Sequence, residues 1–213
     1  PKQGMISPGV FIPIAESTGL ILPISEWVLE TACAQLKTWM DKGLNNFRMA
    51  INIAPQQLRQ ADFVDSINNA LSRNGLPPES LELELSERIV FSQIDEGHNI
   101  LTQIKKIGVN LSIDDFGTGY STLRLLAHYP IDVLKIDQFY ANHITTDKSD
   151  ATVVSGIIKI ASELGLIVVA EGIETEDQVN FLRENNCDLI QGYYYSRPLP
   201  AVEIEDFLWK NMK

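Results

Sequence analysis

The stretch LSIDDFGTGY, residues 111–120, carries the strongest signal for the fold and for a site. It reads as a short apolar strand that ends in two adjacent carboxylates, Asp114 and Asp115, and then breaks into a glycine-containing loop. The residues of this loop are Phe116, Gly117, Thr118 and Gly119. Neighbouring carboxylates at the tip of a buried strand repel each other and are costly to desolvate unless cations offset their charge. Because a pair of divalent metal ions would do so, the stretch indicates a metal-dependent phosphoryl-transfer site.

Five further segments repeat the pattern of a short apolar run that is closed by polar residues. They are FRMAINIA (47–54), LELELSE (81–87), IDVLKID (131–137), LIVVAEG (166–172) and DLIQGY (188–193). The polar residues at or near their ends are Asn52, Glu84, Glu87, Lys135, Asp137, Glu171 and Gln191. Amphipathic stretches of helical length separate most of these segments, at 24–42, 61–74, 92–107, 149–164 and 175–185, with a shorter one at 121–128. The chain therefore alternates between strand and helix.

This alternation predicts parallel strands that are joined by crossover helices. The polar strand ends recur about every 30 residues over much of the chain, which is the length of one βαβ repeat. In a closed parallel barrel all carboxyl ends of the strands converge on one rim, where residues are typically catalytic. An open doubly wound sheet is the main alternative, but it brings only a few strand ends together at its switch point. Six polar ends meet more easily on a ring, so we favour a barrel.

The composition limits the classes of function. A chain of 213 residues is expected to form one domain, which we assign to residues 1–213. The net charge of −11 argues against binding to a nucleic-acid polymer, which needs a basic surface. The two cysteines lie far apart in the sequence and lack metal-ligand spacing, so we interpret them as two buried thiols in a reducing compartment. No apolar run is long enough to predict a transmembrane span.

Several motifs carry a resemblance to a known family. They are FIPIAESTGLI (11–21), INIAPQQL (51–58), LELELSE (81–87), DDFGTGYSTL (114–123) with LKID (134–137), and VAEGIET (169–175) with QGYYYSRPLP (191–200). Together they resemble an EAL-type domain, the bacterial phosphodiesterase module that acts on cyclic di-GMP, from about residue 6 to residue 208. The resemblance implies an α/β fold, a modified TIM-like (β/α)8 barrel with one reversed strand. It also implies a two-metal hydrolase, with Mg²⁺ or Mn²⁺, that opens cyclic di-GMP to linear pGpG.

The resemblance assigns metal-binding roles residue by residue. By position, Asn52, Glu84 and Asp114 match the ligands of the first metal ion. Asp114 also matches a bridge to the second ion, which Asp115 and Glu171 help to hold. Carboxylate and amide oxygens are ligands that suit Mg²⁺ or Mn²⁺.

The resemblance also implies catalytic and substrate-binding residues. Lys135 matches the lysine that positions or polarises the attacking water, and Glu87 matches the glutamate that braces the loop after Asp115. The full set of matched catalytic positions is Lys135, Glu171, Glu87 and Gln191. The matched substrate-binding positions are Asp115, Glu174, Gln191 and Pro198.

Structural roles are the alternative explanation for most of these residues. Asp114 and Asp115 are also residues of the kind found at a helix N-cap, and Glu84 fits the solvent face of an alternating edge strand. Glu87 is also suited to capping the next helix. Lys135 is the hardest to explain structurally, because a buried ammonium in an apolar strand needs partners.

Two further positions are equally open. Glu174 also fits an acidic residue in the first turn of a helix, where the helix dipole favours it. Gln191 is also able to satisfy backbone groups near a strand end.

The family's name-giving Glu-Ala-Leu motif does not occur in these residues, and the resemblance places it upstream of Pro1. We therefore expect two N-terminal strands and one metal ligand of the barrel to lie outside this sequence. Two functions follow as hypotheses: a cyclic di-GMP phosphodiesterase, or a catalytically impaired receptor that binds the same nucleotide. The expected partners are cyclic di-GMP, a second copy that forms a homodimer through the barrel, and an upstream sensor or cyclase-like domain. The expected location is the bacterial cytoplasm, including as the cytoplasmic part of a membrane-anchored protein.

Overall fold

Six parallel strands form a single sheet in the computed structural model, which describes residues 4, 6–45, 47–87, 96–117 and 126–211. The strands are β1 (Met49–Asn52), β2 (Leu81–Ser86), β3 (Asn110–Phe116), β4 (Val133–Ile136), β5 (Ile167–Ala170) and β6 (Leu189–Ile190). Neighbours in the sheet follow the order of the chain, and every adjacent pair is parallel. All six predicted strands are present.

The described helices connect these strands and flank the sheet. They are α1 (Pro8–Thr18), α2 (Ile21–Asp41), α3 (Phe63–Asn74), α4 (Glu96–Ile107), α5 (Gln138–Ala141), α6 (Lys148–Glu163), α7 (Glu176–Glu184) and α8 (Ala201–Asn211). The predicted helices at 24–42, 61–74, 149–164 and 175–185 are confirmed with small shifts at their ends. The predicted stretches 92–107 and 121–128 lie partly outside the described residues. The helices α1, α5 and α8 were not predicted, and no helix of the described ranges is both long and apolar enough to cross a bilayer.

The strand order decides between the two sheet architectures. A doubly wound sheet reverses its strand order at a switch point, where the ligand binds. Here the order runs from β1 to β6 without reversal, and the sheet curls into a half-barrel, so the doubly wound alternative is wrong. None of these six strands is antiparallel to its neighbour, so the reversed strand that the resemblance implies is not among them.

Strand β2 alternates leucine and glutamate, and both sets of side chains are buried. Its leucines, Leu81, Leu83 and Leu85, belong to the hydrophobic core that packs between the sheet and the helices. The alternate residues Glu82 and Glu84 are also buried, each 8% exposed, so they lie on the concave side of a central strand. The alternation therefore separates two buried faces, and the alternative that Glu84 lies on the solvent side of an edge strand is wrong.

The helix that follows β5 begins with a capping box. The Thr175 hydroxyl accepts a hydrogen bond from the backbone N–H of Gln178 at 3.3 Å. In return, the Gln178 side chain accepts from the backbone N–H of Thr175 at 2.9 Å. Two backbone donors that the helix leaves unpaired are thereby satisfied, and the start of α7 is fixed next to the end of β5.

We predict that Thr175→Ala lowers the free energy of unfolding by about 1 kcal/mol, because one capping bond is lost. Urea denaturation followed by circular dichroism measures the change. The control is Thr152→Ala, which removes an exposed hydroxyl that bonds Lys148 O inside α6, and we expect a change within about 0.5 kcal/mol. An equal effect of the two substitutions would contradict a stabilising cap.

Candidate active site

The ammonium of Lys135 lies between carboxylates from three other strand ends. Its Nζ is 2.6 Å from Glu84 Oε1, 2.6 Å from Glu171 Oε1 and 3.5 Å from Asp114 Oδ1. Lys135 is 5% exposed. The structure therefore brings four of the predicted site residues from β2, β3, β4 and the end of β5 into direct contact.

Burial and mutual repulsion set the protonation of this cluster. Burial raises the pKa of Glu84 and of Glu171 above the ordinary range, and the neighbouring carboxylates raise it further, although the Lys135 ammonium lowers it. One ammonium shared among three carboxylates does not neutralise them. For Lys135 itself, burial lowers the pKa, but its bonds to Glu171 and Glu84 outweigh burial, so its pKa is raised. At neutral pH Lys135 is therefore a hydrogen-bond donor and not a base.

Asn52 joins the cluster through the register of the first two strands. Asn52 on β1 lies directly opposite Glu84 on β2. Its Nδ2 donates to Glu84 Oε2 at 3.1 Å, which leaves Glu84 with one oxygen on Asn52 and the other on Lys135. Two of the predicted ligands of the first metal ion are thus neighbours in space.

A β-bulge separates Asp114 from Asp115. The pairs Ile113↔Leu134 and Phe116↔Ile136 show that β3 contains one residue more than the facing segment of β4. Asp115 lies in this bulge and has a φ angle of 56°, a left-handed conformation that few non-glycine residues adopt. The sequence predicted that the strand ends at Asp114 and Asp115. In the structure β3 continues through both residues to Phe116.

Asp115 lies near Asp137, a residue at a predicted strand end to which the resemblance assigned no role. Burial raises the pKa of Asp115 to about 6, and the charge of Asp114 and a hydrogen bond with Asp137 contribute to the rise. Asp137 also caps α5, because its Oδ1 accepts the backbone N–H of Phe139 at 2.7 Å. Its position in LKID, two residues after Lys135, was the signal that could have identified it.

Glu87 contacts the segment that follows Asp115. Its Oε2 accepts the backbone N–H of Gly117 at 2.8 Å, and the residue is 3% exposed. This contact is the one expected of a brace for the loop, although a bracing role stays a prediction. Of the predicted loop, Phe116 and Gly117 are described, while Thr118 and Gly119 lie outside the described residues.

A cleft of about 340 Å³ opens beside the cluster. The predicted substrate-binding residues Asp115, Glu174, Gln191 and Pro198 all line it, as does Glu171. The remaining lining residues are Asp137, Gln138, Gly172, Gly192, Tyr193 and Ser196. The cleft volume falls in the range of small-molecule sites. The four predicted substrate-binding residues lie together at this cleft, and their roles stay predictions.

The chain matches one protein-family model over most of its length. A family model described as "EAL domain" matches residues 1–198. The chain belongs to the EAL domain family. The sequence resemblance is thereby confirmed at the level of the family.

Two relatives of this EAL domain come from Pseudomonas aeruginosa. The bifunctional diguanylate cyclase/cyclic di-GMP phosphodiesterase MucR is 44% identical over 204 residues, which cover 96% of this chain and 30% of MucR. The cyclic di-GMP phosphodiesterase NbdA is 43% identical over 208 residues, which cover 98% of this chain and 27% of NbdA. The EAL domain thus spans less than a third of either relative.

Solved structures of EAL proteins share the fold. The MucR phosphodiesterase in complex with c-di-GMP has a TM-score of 0.92 and 44% identity, and the match covers 96% of this chain and 83% of that one. Klebsiella pneumoniae BlrP1, in a complex with calcium and cy-diGMP, has a TM-score of 0.73 and 30% identity, covering 80% of this chain and 43% of that one. These matches confirm the predicted α/β, TIM-like fold.

The donor set of the EAL domain suits a divalent cation in its chemistry. Within the described residues the site holds five carboxylates and one ammonium, that of Lys135. The carboxylates belong to Glu84, Asp114, Asp115, Asp137 and Glu171. Excess carboxylate oxygens of this kind favour a hard cation. Within the same residues, no three acidic, histidine or cysteine side chains are placed to hold an ion by themselves. Three of the carboxylates contact the Lys135 ammonium instead.

We predict that Lys135→Met destabilises the EAL domain by about 3–5 kcal/mol at neutral pH, because it leaves buried carboxylates unpaired. The pKa of Glu84 and Glu171 is already above the value of an unfolded chain, so their ionised forms oppose folding above that value. Loss of the Lys135 ammonium raises the pKa of Glu84 and of Glu171 further. The loss in free energy of unfolding should therefore become smaller as the pH falls and the two carboxyl groups are protonated.

Urea denaturation at about pH 7.5 and about pH 5.5 tests this prediction. The matched control is Lys159→Met, which removes an exposed ammonium on α6. A deficit of Lys135→Met that is equal to the control, or that grows on acidification, would contradict the ion-pair cluster.

Proposed function

We propose that this EAL domain hydrolyses one phosphodiester bond of cyclic di-GMP and releases linear pGpG, with Mg²⁺ or Mn²⁺ bound at the strand ends. The observation that carries the proposal is the acidic cluster around Lys135, which adjoins a cleft of small-molecule size through Glu171. The family and the complex of MucR with c-di-GMP, at 44% identity, support the identity of the nucleotide.

The charge of the site is the first reason to include metal ions. A phosphodiester is an anion, and a rim that holds five carboxylates and one ammonium would repel it. Bound divalent cations reverse the local sign, so that the same rim attracts phosphate oxygens. The calcium in the complex of BlrP1, a relative at 30% identity, supports a site for divalent cations.

We assign the ligands that the resemblance to EAL domains implies, and two contacts at the rim support the assignment. Asn52, Glu84 and Asp114 would hold a first ion, and Asp114, Asp115 and Glu171 a second. Asn52 and Glu84 already touch each other. The bulge at Asp115 directs one carboxylate to Lys135 and the other to the cleft, which suits ligands that face two ions.

Bound cations would supply charge neutralisation on the phosphate and a lowered pKa of the attacking water. Lys135 would donate a hydrogen bond that orients this water. The water oxygen attacks phosphorus, the bond between phosphorus and the 3′-oxygen breaks, and that oxygen leaves with a proton. The water's remaining hydroxyl stays on the phosphate, which becomes the 5′-phosphate end of pGpG.

The cleft residues bind the rest of the nucleotide. Gln191, Glu174 and Pro198 line the cleft and do not contact Lys135. A glutamine and a glutamate offer amide and carboxylate groups for the hydrogen-bonding edge of a guanine, and the proline offers apolar contact. The proposed substrate thus has its phosphate at the acidic rim and a base in the cleft.

We predict that the protein converts cyclic di-GMP to pGpG in the presence of Mg²⁺ or Mn²⁺, and that Glu171→Gln lowers kcat at least about 100-fold, because a metal ligand is lost. Nucleotide chromatography measures the product. The matched control is Glu184→Gln, an exposed residue at the end of α7, which should turn over at the parental rate.

Two outcomes would overturn this part of the proposal. If calorimetry shows that the parent protein binds cyclic di-GMP but no pGpG appears with either metal ion, the domain acts as a receptor and not as a hydrolase. If Glu171→Gln retains the parental rate, Glu171 is not the ligand that we assign.

We also predict that Mn²⁺ stabilises the protein against unfolding, by about 2.7 kcal/mol at a concentration about 100-fold above its dissociation constant. Asp114→Asn should lose most of this gain, because Asp114 is assigned to both ions. Thermal unfolding with Mn²⁺ and with EDTA measures it, and Asp62→Asn, an exposed residue before α3, is the control. Equal stabilisation of Asp114→Asn and the control would place the ion elsewhere.

Three expectations extend beyond these experiments. The homodimer through the barrel, the upstream sensor or cyclase-like domain and the cytoplasmic location stay predictions from the family resemblance. The activities of MucR and NbdA belong to proteins of which this chain spans 30% and 27%.

A further inference from the structure

Gly117, the first residue after β3, is held from both sides of its α-carbon. Its N–H donates to Glu87 Oε2 at 2.8 Å, and its carbonyl accepts from the Tyr140 hydroxyl at 2.9 Å. The φ angle of Gly117 is 104°, and a Cβ at this position would lie 2.7 Å from Tyr140 Cε2. Only glycine therefore permits the close approach of the ring that accompanies the second hydrogen bond.

These two hydrogen bonds restrain different peptide planes. The N–H belongs to the plane that precedes the α-carbon of Gly117, and the carbonyl belongs to the plane that follows it. Glu87 alone fixes the first plane and leaves the second free to rotate. Tyr140 fixes the second plane, so that both backbone angles of Gly117 are determined.

Tyr140 lies on α5, whose start lies near the other end of the same segment. Asp137 caps α5 by accepting the N–H of Phe139 at 2.7 Å, and its carboxyl group lies near Asp115, where both residues line the cleft. The short helix also contacts Gly117 through Tyr140. Helix α5 therefore lies against the segment 115–117 at Gly117 and near Asp115.

Helix α5 is itself fixed by a buried glutamine. Gln178, 5% exposed, donates from Nε2 to Ala141 O at 3.1 Å. Its Oε1 accepts the N–H groups of Glu174 and Thr175, both at 2.9 Å. The end of α5 is therefore bonded to the start of α7, which makes it a firm support for a side chain that positions another segment.

We propose that the hydroxyl of Tyr140 is a positioning group for the acidic rim: it holds Gly117 so that Asp114 and Asp115 keep the orientation in which they bind cations. Tyr140 acts through the backbone of Gly117 and is not among the residues that line the cleft. The inference rests on the proposed function for its effect on metal binding, and on the hydrogen bond alone for its effect on the backbone.

The test is Tyr140→Phe, which removes the hydroxyl and keeps the ring against Gly117. In protein without metal ions, hydrogen exchange at the amide of Gly117 should become about 3–10-fold faster, because one restraining hydrogen bond is lost. The dissociation constant for Mn²⁺ in calorimetry should rise by about the same factor. The matched control is Tyr195→Phe, which removes the hydroxyl of a half-exposed tyrosine outside the cleft lining and should change neither quantity.

A double-mutant cycle with Glu87→Gln separates positioning from general loss of stability. Because both side chains act on Gly117, the effect of the double variant on Mn²⁺ affinity should be smaller than the product of the single effects. Independent effects that multiply would contradict a shared target.

The outcomes distinguish this inference from the proposed function. Unchanged amide exchange and unchanged Mn²⁺ affinity in Tyr140→Phe would overturn the role of Tyr140, even in a protein that hydrolyses cyclic di-GMP. Faster exchange and weaker Mn²⁺ binding in a protein that produces no pGpG would support the positioning role and reject the proposed hydrolysis.

Discussion

The ammonium of Lys135 contacts carboxylates that come from three other strand ends, and neither partner in this arrangement is stable without the other. A lysine on the concave side of a parallel sheet has no access to bulk water, so it needs acceptors. Burial raises the pKa of Glu84 and of Glu171 and so favours their neutral forms, whereas the Lys135 ammonium lowers the pKa of both. Because one ammonium meets three carboxylates, the cluster keeps an excess of negative charge. That excess is the physical link between the fold and the proposed metal site.

The sheet supplies the geometry of this cluster almost without help from loops. In a parallel sheet, residues at equal height on adjacent strands lie side by side, as Asn52 and Glu84 do. The two exceptions are Asp115 and Gly117, whose positions depend on the bulge in β3 and on contacts from outside the strand. The rim therefore has a rigid part, built by strand register, and an adjustable part, held by side chains.

Much of this was predictable from the sequence, for a physical reason. Each polar residue at a strand end followed an apolar run, so the pattern located both the strand and the candidate site residue, as for Lys135 in IDVLKID. Strand order was harder, and only the recurrence of polar ends favoured a ring. Helix α1 escaped prediction because it contains Pro13, and a proline inside a stretch argues against a helix. Helix α5 escaped because it has four residues, too few for a periodic pattern.

The features that escaped prediction at the site share another cause. The bulge at Asp115 arises from a mismatch in length between β3 and β4, which no local pattern of either strand reveals. The hydrogen bond between Tyr140 and Gly117 spans 23 residues, and its donor lies on the unpredicted helix α5. Sequence motifs thus located the charged ligands, while the neutral groups that orient them became visible only in three dimensions.

The excess charge also bears on how the proposed reaction would be controlled. A chain with a net charge of −11 does not attract a dianionic nucleotide over long distances. On the proposed function, attraction arises only where cations occupy the rim, so substrate affinity depends on metal affinity. Metal affinity depends in turn on the conformation of residues 115–117, which Glu87 and α5 contact from different sides. On the proposed function, the contacts that hold residues 115–117 therefore affect turnover through the metal ions.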